Sequence, residues 1–370
     1  MNEPRQITTF QTAAIVINST IGISLLALPR IASEKTGTGS LIVVLMAILY
    51  LLISVLILAN LSRRFPGENF LTYSKLLVGK HISRVMLFFF ICIFFINTSI
   101  VLREFGEVMR TTLMQETPIS VTLLFMLYVI AMSARNNITT ISFMHTYYLP
   151  FIIGPLIILV IIAYRDIEWI HVKPLLGNDT TFMDFLSGSV TIFGLPFIQI
   201  GMFIIVIIAP HMLKPSKSLK GALWGAVISG MMIVLATFIT LAVFGAEEMK
   251  KSLWPVLVLT RMTELPSSIL ERLDIVFLVV WIISAFTTLL SGYLITIELS
   301  SQLFNFRSHR SIALLAIPVV YVLSIIPKNI IHLSEIMVNF AKWSIVLTVG
   351  YPLFLSLIAL WRKKGDDVRE

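Results

Sequence analysis

Long apolar runs decide what this chain can become. A helix needs about 20 apolar residues to cross the hydrocarbon core of a bilayer. Ten stretches of that kind follow one another, near 9–32, 40–61, 83–114, 119–133, 141–164, 182–212, 219–244, 269–303, 312–326 and 334–361. Lipid offers no partners to backbone amides and carbonyls, so each run must close its own hydrogen bonds as a helix. The expected fold class is therefore all-α integral membrane, ten transmembrane helices in one permease-like domain over residues 1–370. Charged residues are 13% of the chain against 57% hydrophobic, too few to coat a soluble surface.

The net charge of +8 does not point to nucleic acid, because the basic residues fall in short loops, where they set orientation. Arg63, Arg64, Lys75, Lys80, Arg84, Arg135, Lys214, Lys217, Lys220, Arg307, Arg310 and the tail's Arg362, Lys363, Lys364 and Arg369 all lie on one side of a ten-span reading. Glu34, Asp166, Glu168, Asp179, Glu247, Glu248 and Glu335 lie on the other. Both termini are expected in the cytoplasm, with membrane lipid as the surrounding partner. The first run shows no small-residue cleavage pattern and is taken as a retained span. The single cysteine, Cys92, leaves no internal disulfide framework.

Two of the runs are interrupted. The first carries Asn18-Ser19-Thr20-Ile21-Gly22, with Pro29 seven residues beyond the glycine. The sixth carries Thr191-Ile192-Phe193-Gly194-Leu195-Pro196. A broken helix persists in hydrocarbon only where protein, water or ligand pairs the freed backbone groups. The plainer reading is a kink, since glycine and proline are common in membrane helices. Position favours the first reading, because one break opens each set of five spans and sets of five run in opposite senses through the membrane. A 5+5 inverted repeat follows, with halves of about 9–164 and 182–362, and matched breaks point to a site between them.

Half-helix amides attract a carboxylate and half-helix carbonyls an ammonium, so a zwitterionic amino acid answers both. Ser19, Thr20, Phe193 and Leu195, with Asn97, Thr98 and Val101 of the third span, make a small uncharged lining that suits a small neutral nutrient. Thr287, Thr288 and Ser291 of the eighth span could join first-span carbonyls around a sodium ion, or each hydroxyl could bond the carbonyl one turn back. Thr287 and Thr288 stand as a candidate ion site, and sodium is left open.

Ionisable residues inside spans are costly and draw notice. Arg103 and Glu107 lie four apart on one face and are expected to form a structural pair. Glu104 has no evident partner, Lys342 can snorkel outward, Glu298 can reach the interface, and the fifth span holds no lysine or arginine. The six histidines are scattered, and no G-x-x-x-x-G-K-[ST], H-E-x-x-H, G-x-S-x-G or cysteine–histidine cluster occurs. No catalytic residue, metal site or cofactor is expected.

Phe10-Gln11, Asn18 to Gly22 and Leu25-Leu26-Ala27-Leu28-Pro29-Arg30 resemble the opening of the B subunits of bacterial spore germinant receptors. These are endospore germination permeases of the amino acid–polyamine–organocation superfamily. Arg64-Phe65-Pro66-Gly67 with Tyr73 and Leu77 to Gly79 resembles that family's loop after the second span. Trp254-Pro255 to Arg261-Met262, then Leu270-Glu271-Arg272-Leu273-Asp274 to Trp281, resembles its entry into the eighth. The resemblance extends over nearly the whole chain.

It implies a leucine-transporter-like fold in the inner membrane of the spore and a nutrient-sensing subunit that acts with an A subunit and a lipoprotein C subunit. Ligand contact would fall on Gly22, Thr287 and Ser291, with Thr98, Val101, Leu195 and Phe340. A proton- or sodium-coupled amino acid permease is the competing reading, and a membrane scaffold with a vestigial pocket a third.

Overall fold

With no water to pair with, the backbone resolves almost wholly into helices. The structure, a computed structural model, describes residues 6–177, 180–262, 273–306 and 308–362. Among them the one strand-like pairing is an isolated bridge between Ile7 and Met212. The first long run is cut into α1 (Thr9–Ile21) and α2 (Ser24–Thr36), followed by α3 (Ser40–Arg64) and the short α4 (Phe70–Val78). Then come α5 (Lys80–Thr112), α6 (Ile119–Ala134) and α7 (Ile138–Ala163). The second half of the chain opens with α8 (Phe182–Phe193) and α9 (Pro196–Ile208), bent by 57° at the break between them. It continues through α10 (Ser218–Lys251), α11 (Pro255–Met262), α12 (Leu273–Phe304), α13 (His309–Ile325), α14 (Ile330–Thr348) and α15 (Gly350–Trp361).

Six described segments are long and apolar enough to cross a membrane, seven when α8 and α9 count as one bent span, and α6 and α13 are shorter apolar helices. The tenth apolar run, expected as one helix, is broken at Val349, next to Gly350 and Pro352. The run read as ending at 244 stops its regular helix at Gly245, whose φ of 73° marks a kink before α10 resumes.

Both interrupted helices start with the same device. Thr8 accepts from the Gln11 amide at 3.2 Å while its own amide donates to Gln11 Oε1 at 2.8 Å. Thr181 and Asp184 make the same reciprocal box ahead of α8. A capping box satisfies two otherwise orphaned amides and fixes where a helix begins.

Polarity runs inward. Phe125, Leu315 and Trp343 stand exposed on the flanks, whereas Asn18, Ser19, Thr20, Asn97, Thr287, Thr288 and Ser291 are buried. α1 is at the centre, packed by α7, α9, α10 and α12, while α12 also lies on α5. Both ends of the described chain lie at one end of the bundle: Ile7 pairs with Met212, Arg63 shares a cavity with Lys220, and Arg362 donates to the Leu77 carbonyl beyond α3.

The expected ion pair forms, and a second arginine joins it. Arg103 Nη2 lies 2.9 Å from one Glu107 oxygen and Arg110 Nη2 lies 2.8 Å from the other. A buried carboxylate held between two guanidiniums is the arrangement that makes such a charge tolerable. Glu298 meets His309 at 2.7 Å, and Lys342 is exposed on the flank of α14. Of the sequence blocks used above, Leu270-Glu271-Arg272 and the tail's Lys363, Lys364 and Arg369 lie outside the described residues, as do Asp179 and Arg307.

Candidate functional site

α1 stops at Ile21 and α2 starts at Ser24, so carbonyls near the end of α1 lose their helical partners. The replacement donors come from α12. Thr288 Oγ1 donates to the Asn18 carbonyl at 3.0 Å, and Thr287 Oγ1 lies 3.4 Å from the same oxygen while donating to Ser284 at 2.8 Å in its own helix. The two readings of these hydroxyls therefore divide: Thr287 bonds mainly one turn back, and Thr288 reaches across. Ser19 Oγ lies 2.6 Å from Ser291 Oγ and also donates to the Ile15 carbonyl. Ser291 in turn donates to Thr287 O and sits 3.4 Å from His145 Nε2. Asn18 Nδ2 donates to the His145 carbonyl at 2.7 Å. Gly22 permits this approach, since a Cβ there would stand 1.8 Å from Thr288 Oγ1.

The second break is built otherwise. α8 ends at Phe193, Leu195 is extended, and Pro196 occupies the first position of α9, where its missing amide costs nothing. The freed Gly194 carbonyl accepts from Gln199 Nε2 at 3.1 Å, and the same amide nitrogen lies 2.6 Å from Ser344 Oγ on α14. Asn97 of α5 donates to Gln199 Oε1 at 3.4 Å. Backbone closes the outer side: a Cβ on Gly194 would be 2.5 Å from the Ala341 carbonyl of α14. Phe193 packs edge-on to Tyr50, with ring centroids 5.9 Å apart.

The candidate residues thus fall into two groups. Ser19, Gly22, Thr287, Thr288 and Ser291 form one cluster at the first break. Phe193, Leu195 and Asn97 gather at the second through Gln199. Thr98 packs on Gly292 of α12 and lies 3.5 Å from Thr296, Val101 is buried on the same helix as Thr98, and Thr20 packs against Gly201 of α9. Phe340 is half-buried on α14 beside Ala341.

Sequence reasoning missed His145, Gln199, Ser344 and the role of Asn18. A lone amide within the otherwise apolar α9 was the available signal for Gln199. For His145 a period count could have shown an inward position, but not its neighbours. Among the buried atoms with no hydrogen-bond partner in the protein are Asn18 Oδ1, Asn97 Oδ1, His145 Nδ1 and Ser284 Oγ, all beside the breaks. Buried polar atoms are paired in the great majority of cases, so these are the atoms at the breaks with hydrogen-bonding capacity to spare.

Three cavities open elsewhere, lined around Arg30 and Glu335, around Met109 and Phe286, and around Arg63 and Lys220. None of the three is lined by the residues of the breaks. Among the described residues no group of three or more histidine, cysteine or acidic side chains could hold a metal ion.

Known proteins bear on this geometry. Residues 6–332 match the family described as spore germination protein. The chain is 26% identical to spore germination protein YndE of Bacillus subtilis (strain 168), covering 98% of each chain. It is 27% identical to spore germination protein A2 of the same strain, covering 86% of each. It is 24% identical to spore germination protein B2, again of that strain, over 96% of each. Among solved structures it resembles Mhp1, a nucleobase-cation-symport-1 family transporter in a closed conformation with bromovinylhydantoin bound. The TM-score is 0.66 at 14% identity, over 97% of this chain and 84% of that one, a likeness of fold alone.

Proposed function

The chain belongs to the spore germination protein family, is a multi-pass membrane protein with the fold of a transporter, and from that premise we propose that it is the nutrient-sensing subunit of a germinant receptor. Its ligand is a small amino acid or similar nutrient held between the two breaks. The observation that carries this is the set of buried unpartnered atoms, Asn18 Oδ1, Asn97 Oδ1, His145 Nδ1 and Ser284 Oγ, where two helices lose their own hydrogen bonds. Family and fold are those of receptors and transporters rather than enzymes.

The finer architecture belongs to the same proposal. α1 with α2, and α8 with α9, each count as one discontinuous span in a single ten-span domain of two inverted sets of five. The matching threonine capping boxes at Thr8 and Thr181 support that pairing. Both termini face the cytoplasm, and the membrane is the inner membrane of the spore. The ligand meets Ser19, Thr20, Gly22, Asn97, Thr98, Val101, Phe193, Leu195, Thr287, Ser291 and Phe340. Binding draws the helices of spans one, two, six and seven onto the rest of the bundle, and A and C subunits read the shift. The shift can be no larger than the ligand's preference for the closed state.

The test is nutrient-triggered germination of spores whose only receptor contains this chain. Ser291→Ala and Asn97→Leu should raise the nutrient concentration needed for a half-maximal response about tenfold, the equivalent of about 1.4 kcal/mol of lost contact. An unchanged dose response with both variants present in the membrane overturns the reading. The fold of the transporter neighbour keeps a second reading alive, an ion-coupled amino acid permease with Thr287 and Thr288 near the ion. Uptake of labelled amino acid into vesicles holding this chain alone, abolished by collapsing the ion gradient, selects the permease.

A further inference from the structure

α3 and α10 pack along each other and part at one end. Ile48 of α3 fits against Gly230 of α10, where a Cβ would stand 2.5 Å from its side chain. At the last turn of α3 and the first of α10 that contact gives way to a cavity of about 520 Å³. This is the end of the bundle where Ile7 bridges Met212 and Arg362 reaches the Leu77 carbonyl. Arg63 stands on one side of the cavity, Ser216 and Lys220 on the other. Arg63 donates to the neutral Asn60 Oδ1 at 2.9 Å. Among the described residues no carboxylate lies within ion-pair distance of Arg63 or Lys220.

The rest of the wall is apolar and looks outward. Lys220, Leu223, Trp224 and Val227 recur at the three- and four-residue spacing that sets them on one face of α10. Trp224 and Val227 are exposed on that face, and α10 is long and apolar enough to cross a membrane, so they meet hydrocarbon. The opposite face is committed to α1. A Cβ on Gly221 would stand 2.9 Å from the Thr9 carbonyl, and one on Gly225 would stand 2.6 Å from Val16. Arg63 and Lys220 close their apolar runs, which is where cations sit at the membrane surface. The cavity thus offers two cations and a hydroxyl at that surface, continued by an apolar track into the bilayer.

We propose that this cavity is a binding site for one anionic phospholipid of the adjoining leaflet. The headgroup phosphate takes Arg63, Lys220 and the Ser216 hydroxyl, and one acyl chain lies along Leu223, Trp224 and Val227. Phosphate accepts from several charged donors at once, and basic pockets between transmembrane helices suit such headgroups. A free anion would leave the apolar wall without a partner. A zwitterionic lipid would bring a cation of its own towards two more, and an acidic protein segment would answer the charges but not the lipid-facing track. The bound lipid ties the end of α3 to the start of α10, and α10 is packed on α1, the helix that stops at the first break.

The experiment reads Trp224 fluorescence in the full chain reconstituted into phosphatidylcholine bilayers. A minor share of the lipid carries bromine on the upper half of one acyl chain, either as phosphatidylglycerol or as phosphatidylcholine, and bromine quenches indole on contact. The chain has six tryptophans, so the Trp224 signal is the difference between the chain and its Trp224→Phe variant. Quenching should show about a tenfold preference for phosphatidylglycerol, the effect of two cations near the surface. Arg63→Gln with Lys220→Gln should bring the preference close to unity. Lys214→Gln with Lys217→Gln, outside the cavity, should leave most of it. Equal quenching by the two lipids in the unaltered chain, or a preference that survives loss of the Arg63 and Lys220 charges, overturns the site. A preference lost equally on the Lys214 and Lys217 changes also overturns it, because diffuse surface charge would then suffice. Inorganic phosphate or a polyglutamate peptide, added at matched ionic strength, should leave the preference intact. Abolition by the first assigns the cavity to a free anion and by the second to an acidic partner, and in either case the lipid site falls.

Discussion

The two breaks solve one problem by different means. At the first, the freed Asn18 carbonyl is served by hydroxyls on another helix, Thr288 at 3.0 Å and Thr287 at 3.4 Å. At the second, the freed Gly194 carbonyl is served by Gln199, five residues on in the same chain segment, and the outer face is shut by the backbone of Ala341. A threonine hydroxyl can turn away by rotation of its own side chain, whereas a backbone carbonyl in α14 moves only with its helix. The first break can therefore exchange its partners for those of a guest without rearranging the bundle. The second cannot open unless α14 shifts, and α14 also walls the cavity around Arg30 and Glu335. In the proposed sensor, recognition would concentrate at the first break and the motion read by partner subunits at the second.

The sharpest way to break that contrast is to crowd each glycine. Gly194→Ala must push the α14 backbone aside and should lower stability by about 3 kcal/mol, the upper part of the usual range for overpacking. Gly22→Ala meets the Thr288 side chain first, and should cost about half as much. Thr288→Ala, added to it, should restore part of the loss. Thermal denaturation in detergent micelles reads both, and equal losses at the two glycines would remove the distinction between a side-chain contact and a backbone one. Next in size is Gln199→Leu, which strands the Gly194 carbonyl and the Asn97 amide in a buried setting. A loss of about 2 kcal/mol is expected, with faster hydrogen exchange over residues 193–197. If exchange there is unaltered, Gln199 does not hold the second break.

How much of this could be read from residues alone follows from which interactions are local. The positions of both breaks were legible, because glycine, proline and side-chain hydroxyls in an apolar run leave a mark in one dimension. The Arg103–Glu107 pair was legible for the same reason, being four residues apart on one helix. Arg110, three residues beyond Glu107, is as local, and its part in the pair went unread. The cross-helix contacts were out of reach. Nothing in the spacing of His145, Ser291 and Ser19 says that three helices bring them together, and nothing in α9 alone says that Gln199 faces Ser344. Closure of the breaks depends on distances between helices, set by small residues on both sides of each contact. The interruption at Val349 is marked by Gly350 and Pro352 just beyond it, a glycine–proline signal like those of the other breaks that the reading of one continuous tenth span passed over.

The smallest predicted effect tests the adaptable break most directly. Thr288→Val keeps the shape of the side chain and removes the donor to the Asn18 carbonyl. Interhelical hydrogen bonds in membranes average about 0.6 kcal/mol, and a loss of that size is expected here. It should not be larger, because Thr287 already lies within reach of the same oxygen and can turn from Ser284 to take it. Thr287→Val alone should cost no more, since Thr288 remains. The double variant has no such reserve, and the carbonyl is then stranded at about 1–3 kcal/mol. A double-mutant cycle should therefore show the pair costing clearly more than the sum of its singles. Strict additivity would mean that the two hydroxyls do not substitute for each other, and the first break would then be as fixed as the second.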